Sequence, residues 1–156
     1  MVLKTHANEN NLIGLPLTLL RLCGDESVAV LELGMNAPGE IARMTEIAVP
    51  DVGLITNVGP AHLEGLGSIA GVAAAKGELF AGMRAQALIA VNMDDEWVVR
   101  VAAHFPGRRI EFGAGCEVTA SAIDDRGFEG LAFALDVDGR RAAVRLRLAG
   151  DRKSVV

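Results

Sequence analysis

Three residues combine reactive types with unusual surroundings. Lys76 sits inside "GVAAAKGELF", where most neighbours are small and apolar. Glu32 lies near the end of the apolar run "SVAVLELG", flanked by Leu31 and Leu33. His62 follows the run "DVGLITNVGPA". On a helix starting near Ser68, the positions three and four apart are Ile69, Val72, Ala73, Lys76, Leu79, Phe80 and Met83. That spacing centres the lysine in an apolar stripe. A lysine stem can pack while its ammonium reaches water, but this is hard more than one turn from either helix end. Burial lowers the amine pKa from about 10.4 and makes the neutral, nucleophilic form accessible.

Glu32 is neither a helix cap nor a common turn former, so its place at a strand tip points to chemistry. His62 alone is weak, since loop histidines are often incidental. Together, a carboxylate and an imidazole without paired cysteines suit Mg²⁺ or Mn²⁺ better than a structural zinc. Mg²⁺ commonly accompanies substrate phosphates, which implies a nucleotide. Yet no G-x-x-x-x-G-K-[ST] is present, and "GLGSIAG" misses the dinucleotide fingerprint by one residue. The broken fingerprint disfavours a dinucleotide-binding redox domain.

These residues need elements to place them. Apolar runs at 27–33, 51–57 and 86–92 read as strands, with a short fourth at 108–113. Helical patterns lie at 15–22, 38–48, Ser68 to about Met83, and 94–105. Alternating strands and helices imply an α/β fold with a mostly parallel sheet covered on both faces. From Val118 the segments alternate more strictly, and Asp138-Gly139 is a hairpin signal. This predicts an antiparallel meander over 114–150, appended to an α/β layer over 1–113, in one domain. Ligands bind beyond the carboxyl ends of parallel strands. Asn36, Thr56, Asn57, His62, Asn92, Asp94 and Asp95 all fall at or past such ends. Polar residues also simply mark strand-to-loop transitions, and Asn92 and Asp94 would make good helix caps.

Composition narrows the classes. The chain has 156 residues and a formal net charge of -5. It has no basic cluster suited to nucleic acid. No apolar run approaches the roughly 18 residues of a membrane span. Cys23 and Cys116 form no paired motif, and the start has no hydrophobic signal segment, as expected of a reduced, cytoplasmic protein. The high apolar fraction also suits a domain whose surface is meant for neighbours.

Four stretches carry a resemblance: "NENNLIGLPLTLLRL", "AVLELGMNAPGEIARM", "LITNVGPAHLEGLGSIAGVAAAKGELF" and "AVNMDD". They resemble the central, ATPase-type domain of the Mur ligases. "ELGMNAPGEI" is most similar to the branch that adds D-alanyl-D-alanine to a UDP-N-acetylmuramoyl tripeptide. The resemblance implies a P-loop-NTPase-like fold and a reaction through an acyl phosphate, with ATP as substrate. It implies that Lys76 forms a carbamate and that Glu32, His62 and Lys76 hold Mg²⁺. Asn57, Asn92 and Asp95 are then expected near the nucleotide. Thr5, Asn10, Asn11 and Asn36 are expected near the substrate or γ-phosphate. The family's phosphate loop should precede "VLKTHANENN", and its amino- and carboxy-terminal domains are not in the chain. Ala7, Leu12 and the ending "GDRKSVV" also depart from the family pattern. A truncated central domain is expected, inactive alone and prone to self-association through an open sheet edge. The alternative is a non-catalytic remnant.

Overall fold

The computed structural model describes residues 1–147. Its longest helix is α4, Ile69–Gly82. The Ser68 hydroxyl caps it by accepting from the Gly71 amide at 3.1 Å. α4 is apolar on two sides and is buried on both. Val72 and Ala75 join one core with Leu15, Met35, Ile41, Met44 and Leu66. Phe80 joins the other with Ile55, Ile89, Val91, Val98 and Phe105. Glycines permit the close approach: a Cβ on Gly77 would press on Val101, and one on Gly82 on Thr45.

Around α4 the chain runs β1 (Val2–Lys4), α1 (Gly14–Leu19), β2 (Val28–Val30), α2 (Glu40–Ala48), β3 (Val52–Ile55) and α3 (Leu63–Leu66). After α4 come β4 (Leu88–Asn92), α5 (Glu96–Ala102), β5 (Arg108–Phe112), β6 (Val118–Asp125), β7 (Leu131–Val137) and β8 (Arg140–Leu146). The expected α/β layer and antiparallel meander are both present. The β7–β8 hairpin turns at Asp138-Gly139, both with positive φ, as the dipeptide predicts. Leu148 to Gly150 of the expected meander, and "DRKSVV" beyond, lie outside the described residues.

Two expectations need correction. First, the parallel strands do not form one sheet. β1 and β2 pair with each other, while β3 to β8 form a separate six-stranded sheet. β2 and β3, the strands that lead to Glu32 and His62, are therefore not hydrogen-bonded neighbours. Side-chain packing joins the two parts: Leu31 and Leu33 after β2, and Val58 after β3, meet the same core on α4.

Second, helices cover one face of β3–β5, not both. Gly53, Ile55, Ile89 and Val91 are buried. The alternate positions are not: Val52 is 59% exposed, Leu54 50% and Ile110 43%. No helix among the described residues covers them. The register carries this face onward through Phe112↔Val118, Val118↔Val137 and Phe133↔Val144. One side of the six-stranded sheet is thus largely apolar and partly exposed, interrupted by Asn92, Arg108 and Arg140.

Candidate functional site

Lys76 lies two turns into α4 and is partly buried. Its Nζ donates to the Asn57 carbonyl at 2.7 Å, at the carboxyl end of β3. Burial lowers its pKa below the ordinary lysine value, while nearby Asp95 pulls the other way. The amine is thus half withdrawn from water and held at a strand end. The apolar stripe around it forecast that position.

The end of β3 is tied to β4 and α5 by polar side chains. Asn92 Nδ2 donates to the Thr56 carbonyl at 2.8 Å. Asp95 caps α5, its Oδ1 accepting from Trp97 and Val98 at 2.9 and 3.1 Å. Its Oδ2 accepts from the Val58 amide at 2.7 Å. Asp95, Asn92, Asn57 and Lys76 therefore form one connected network around the ends of β3 and β4. The hydrogen-bonding groups of Asn92 and Asp95 hold backbone in this state.

A second network surrounds Glu32. Asn10 Nδ2 donates to Glu32 Oε1 at 2.9 Å, and the Glu32 amide donates to Thr5 Oγ1 at 2.8 Å. Thr5, Asn10 and Glu32 are thus brought together at the end of the β1–β2 pair. Asn11 points elsewhere, and its Oδ1 accepts from the Ile13 and Gly14 amides at the start of α1. Asn36 opens the segment leading to α2, and its backbone amide donates to Glu40 Oε2 at 2.6 Å. His62 is exposed and left-handed, with φ 57, at the start of α3. Its loop meets the Glu32 side through α3, because a Cβ on Gly65 would collide with the Asn36 carbonyl oxygen.

No hydrogen bond or ion pair joins Glu32, His62 and Lys76 among the described residues. Nor does any group of three His, Cys, Asp or Glu side chains there form a metal cage. The donor set does not amount to a closed protein site. An open donor set of this kind leaves most coordination positions to water or phosphate oxygens.

Sequence reasoning passed over Glu78. Its two oxygens accept from the Gly39 and Ala42 amides at 2.7 and 3.0 Å. The signal was available, since Glu78 and Lys76 are the only charged residues in α4.

The family model described as the Mur ligase middle domain matches residues 1–154. The chain is 45% identical over 107 residues to UDP-N-acetylmuramoyl-tripeptide–D-alanyl-D-alanine ligase of Haemophilus influenzae. That alignment covers 66% of this chain and 23% of the relative. Over 97 residues it is 47% identical to the Escherichia coli ligase of the same name, covering 62% of this chain and 22% of the relative. Among solved structures, MurF from Acinetobacter baumannii superposes with a TM-score of 0.87 at 33% identity, covering 96% of this chain and 33% of that one. MurF of Thermotoga maritima, solved in complex with ADP, gives a TM-score of 0.79 at 28% identity, covering 92% and 34%. The matched part of the chain therefore spans less than a quarter of either of these two ligases.

Proposed function

Because the chain belongs to the Mur ligase middle-domain family, we propose that it is part of an ATP-dependent ligase. That ligase would join D-alanyl-D-alanine to a UDP-N-acetylmuramoyl tripeptide during cytoplasmic cell-wall precursor synthesis. The observation that carries this reading is the Lys76 amine, held with lowered pKa at the end of β3 beside the network linking Asn57, Asn92 and Asp95. A nucleotide is expected beyond such strand ends.

In this reaction the terminal carboxylate of the tripeptide attacks the γ-phosphorus of ATP, giving an acyl phosphate and ADP. The amine of D-alanyl-D-alanine then adds to the acyl carbon, and phosphate leaves as the amide forms and the amine loses a proton. The substrates bring several negative oxygens together, which calls for positive charge and oriented donors. When bound, Mg²⁺ supplies that neutralising charge. Glu32 and His62 are the side chains available to hold it, one from each side of the site. Neutral Lys76 can add CO₂, releasing a proton and leaving a carbamate, whose oxygens would join the Glu32 carboxylate and the His62 imidazole as a third donor. Asn57, Asn92 and Asp95 order the nucleotide side, and Thr5, Asn10 and Asn36 the substrate side, while Asn11 supports the start of α1.

The test uses a complete ligase carrying this domain, supplied with ATP, Mg²⁺, the tripeptide substrate and D-alanyl-D-alanine. Phosphate release coupled to product formation is expected. Lys76→Ala should remove most turnover, and added acetate should restore part of it by replacing the lost carboxylate. Full activity of Lys76→Ala would reject the role given to the lysine. A second reading, a domain without turnover, is favoured by the lack of a phosphate-cradling G-x-x-x-x-G-K-[ST] motif in this chain. Phosphate release by the 156-residue chain alone would reject it.

A further inference from the structure

We propose that Glu78 is a positioning residue that fixes α4 against the segment 36–42 and so sets where the Lys76 amine lies. Its link to catalysis rests on the ligase reading above, but the geometry does not. Lys76 and Glu78 are two residues apart, which separates them by about 200° around the helix. They accordingly reach opposite sides. Lys76 binds the Asn57 carbonyl after β3. Glu78 binds the Gly39 and Ala42 amides at the start of α2.

The need for such a partner follows from the local sequence. Gly39 occupies the cap position of α2 with φ 88 and has no side chain to accept from the first-turn amides. Glu40 reaches back to the Asn36 and Ala37 amides at 2.6 and 3.2 Å. Glu78, from a different helix, takes Gly39 and Ala42. Two carboxylates thus hold four amides of one short segment, by charge-assisted bonds at the favourable end of a helix. That segment follows Glu32 by a few residues, directly after buried Met35, and rests its Asn36 carbonyl against Gly65 after His62. The stretch therefore lies close to the surroundings of all three proposed metal ligands. A slide of α4 by one residue would move both side chains by about 1.5 Å, and the two anchors together resist it.

Glu40 offers a matched control, because it holds the same segment without involving α4. The experiment compares Glu78→Gln, Glu78→Ala and Glu40→Gln in the 156-residue chain by two readouts. One is the NMR signature of the Lys76 side chain and the Asn57 carbonyl carbon. The other is acylation of Lys76 at fixed pH relative to exposed Lys4, read by mass spectrometry. Glu78→Gln keeps the size and one acceptor, so it is the deciding variant. It should shift both signals and raise Lys76 labelling severalfold, with Glu78→Ala further along the same direction. Glu40→Gln should lower the melting temperature and leave Lys76 as in the wild type. Unchanged Lys76 signals and labelling in folded Glu78→Gln would overturn the proposal, as would an equal response in Glu40→Gln. Neither readout uses ATP or peptide, so failure of the ligase assay and failure of this coupling are separately visible.

Discussion

Folding moves the Lys76 amine from water to a half-buried position against the Asn57 carbonyl. Below its lowered folded pKa, both folded and unfolded chains carry the proton, and the folded state bears the desolvation in full. Between that pKa and the ordinary 10.5, the unfolded chain binds more protons than the folded one. Stability contributed at this site therefore rises with pH across that window. Lys76→Met removes the titration. Denaturant unfolding of both proteins from about pH 7 to the ordinary lysine pKa should show the wild type gaining stability relative to Lys76→Met as pH increases. A flat difference would mean that the amine keeps its ordinary pKa, and a falling one that folding raises it; either would reject the expectation. This residue was legible in sequence because a charge in the middle of an apolar stripe conflicts with its surroundings. Glu78 was less so, since an acidic residue on a helix is ordinary until its distant partners, Gly39 and Ala42, are known.

Short elements carry much of the geometry and were the hardest to anticipate. α3 has only four residues, too few to show a helical period, yet it brings the His62 loop against Asn36. Gly65 makes that contact possible. In helix propensity alone, Gly65→Ala should stabilise by up to about 1 kcal/mol. The added Cβ meets backbone rather than a movable side-chain tip, and overpacking of that kind typically destabilises by about 1–3 kcal/mol. Net destabilisation is expected, read as a lower urea midpoint at unchanged slope. A gain in stability would show that the 36–42 segment yields freely. The longer elements were plain by contrast. Ser68 and the run after it announced α4, and Asp138-Gly139 announced the hairpin. β1 escaped notice because three residues give no alternation to read.

At the scale of the molecule, strand order was the feature that sequence could not supply. Pairing is a long-range choice, and nothing in "AVLELG" or "GLITN" says that they lie in different sheets. Nor does an apolar strand reveal whether one of its faces is left open. The open face, from Val52 and Leu54 across to Phe133 and Val144, gives the chain a reason to associate. The 156-residue chain is expected to form dimers or larger species with rising concentration. Val52→Lys combined with Leu54→Lys should shift that equilibrium toward monomer. Light scattering across a wide concentration range checks both, and a constant monomeric mass for the wild type would reject the expectation.

The division into two sheets also has a mechanical meaning. No ladder of backbone hydrogen bonds crosses between the sheets, and contacts among Leu31, Leu33, Val58 and the α4 side chains join them instead. Glu32 stands on one bank of this joint, with Lys76 and His62 on the other. The gap between them is therefore set by side-chain packing and not by strand pairing. A polyanion gripped from both banks would act as a strut across it, adding a polar tie to a joint otherwise held mainly by apolar packing.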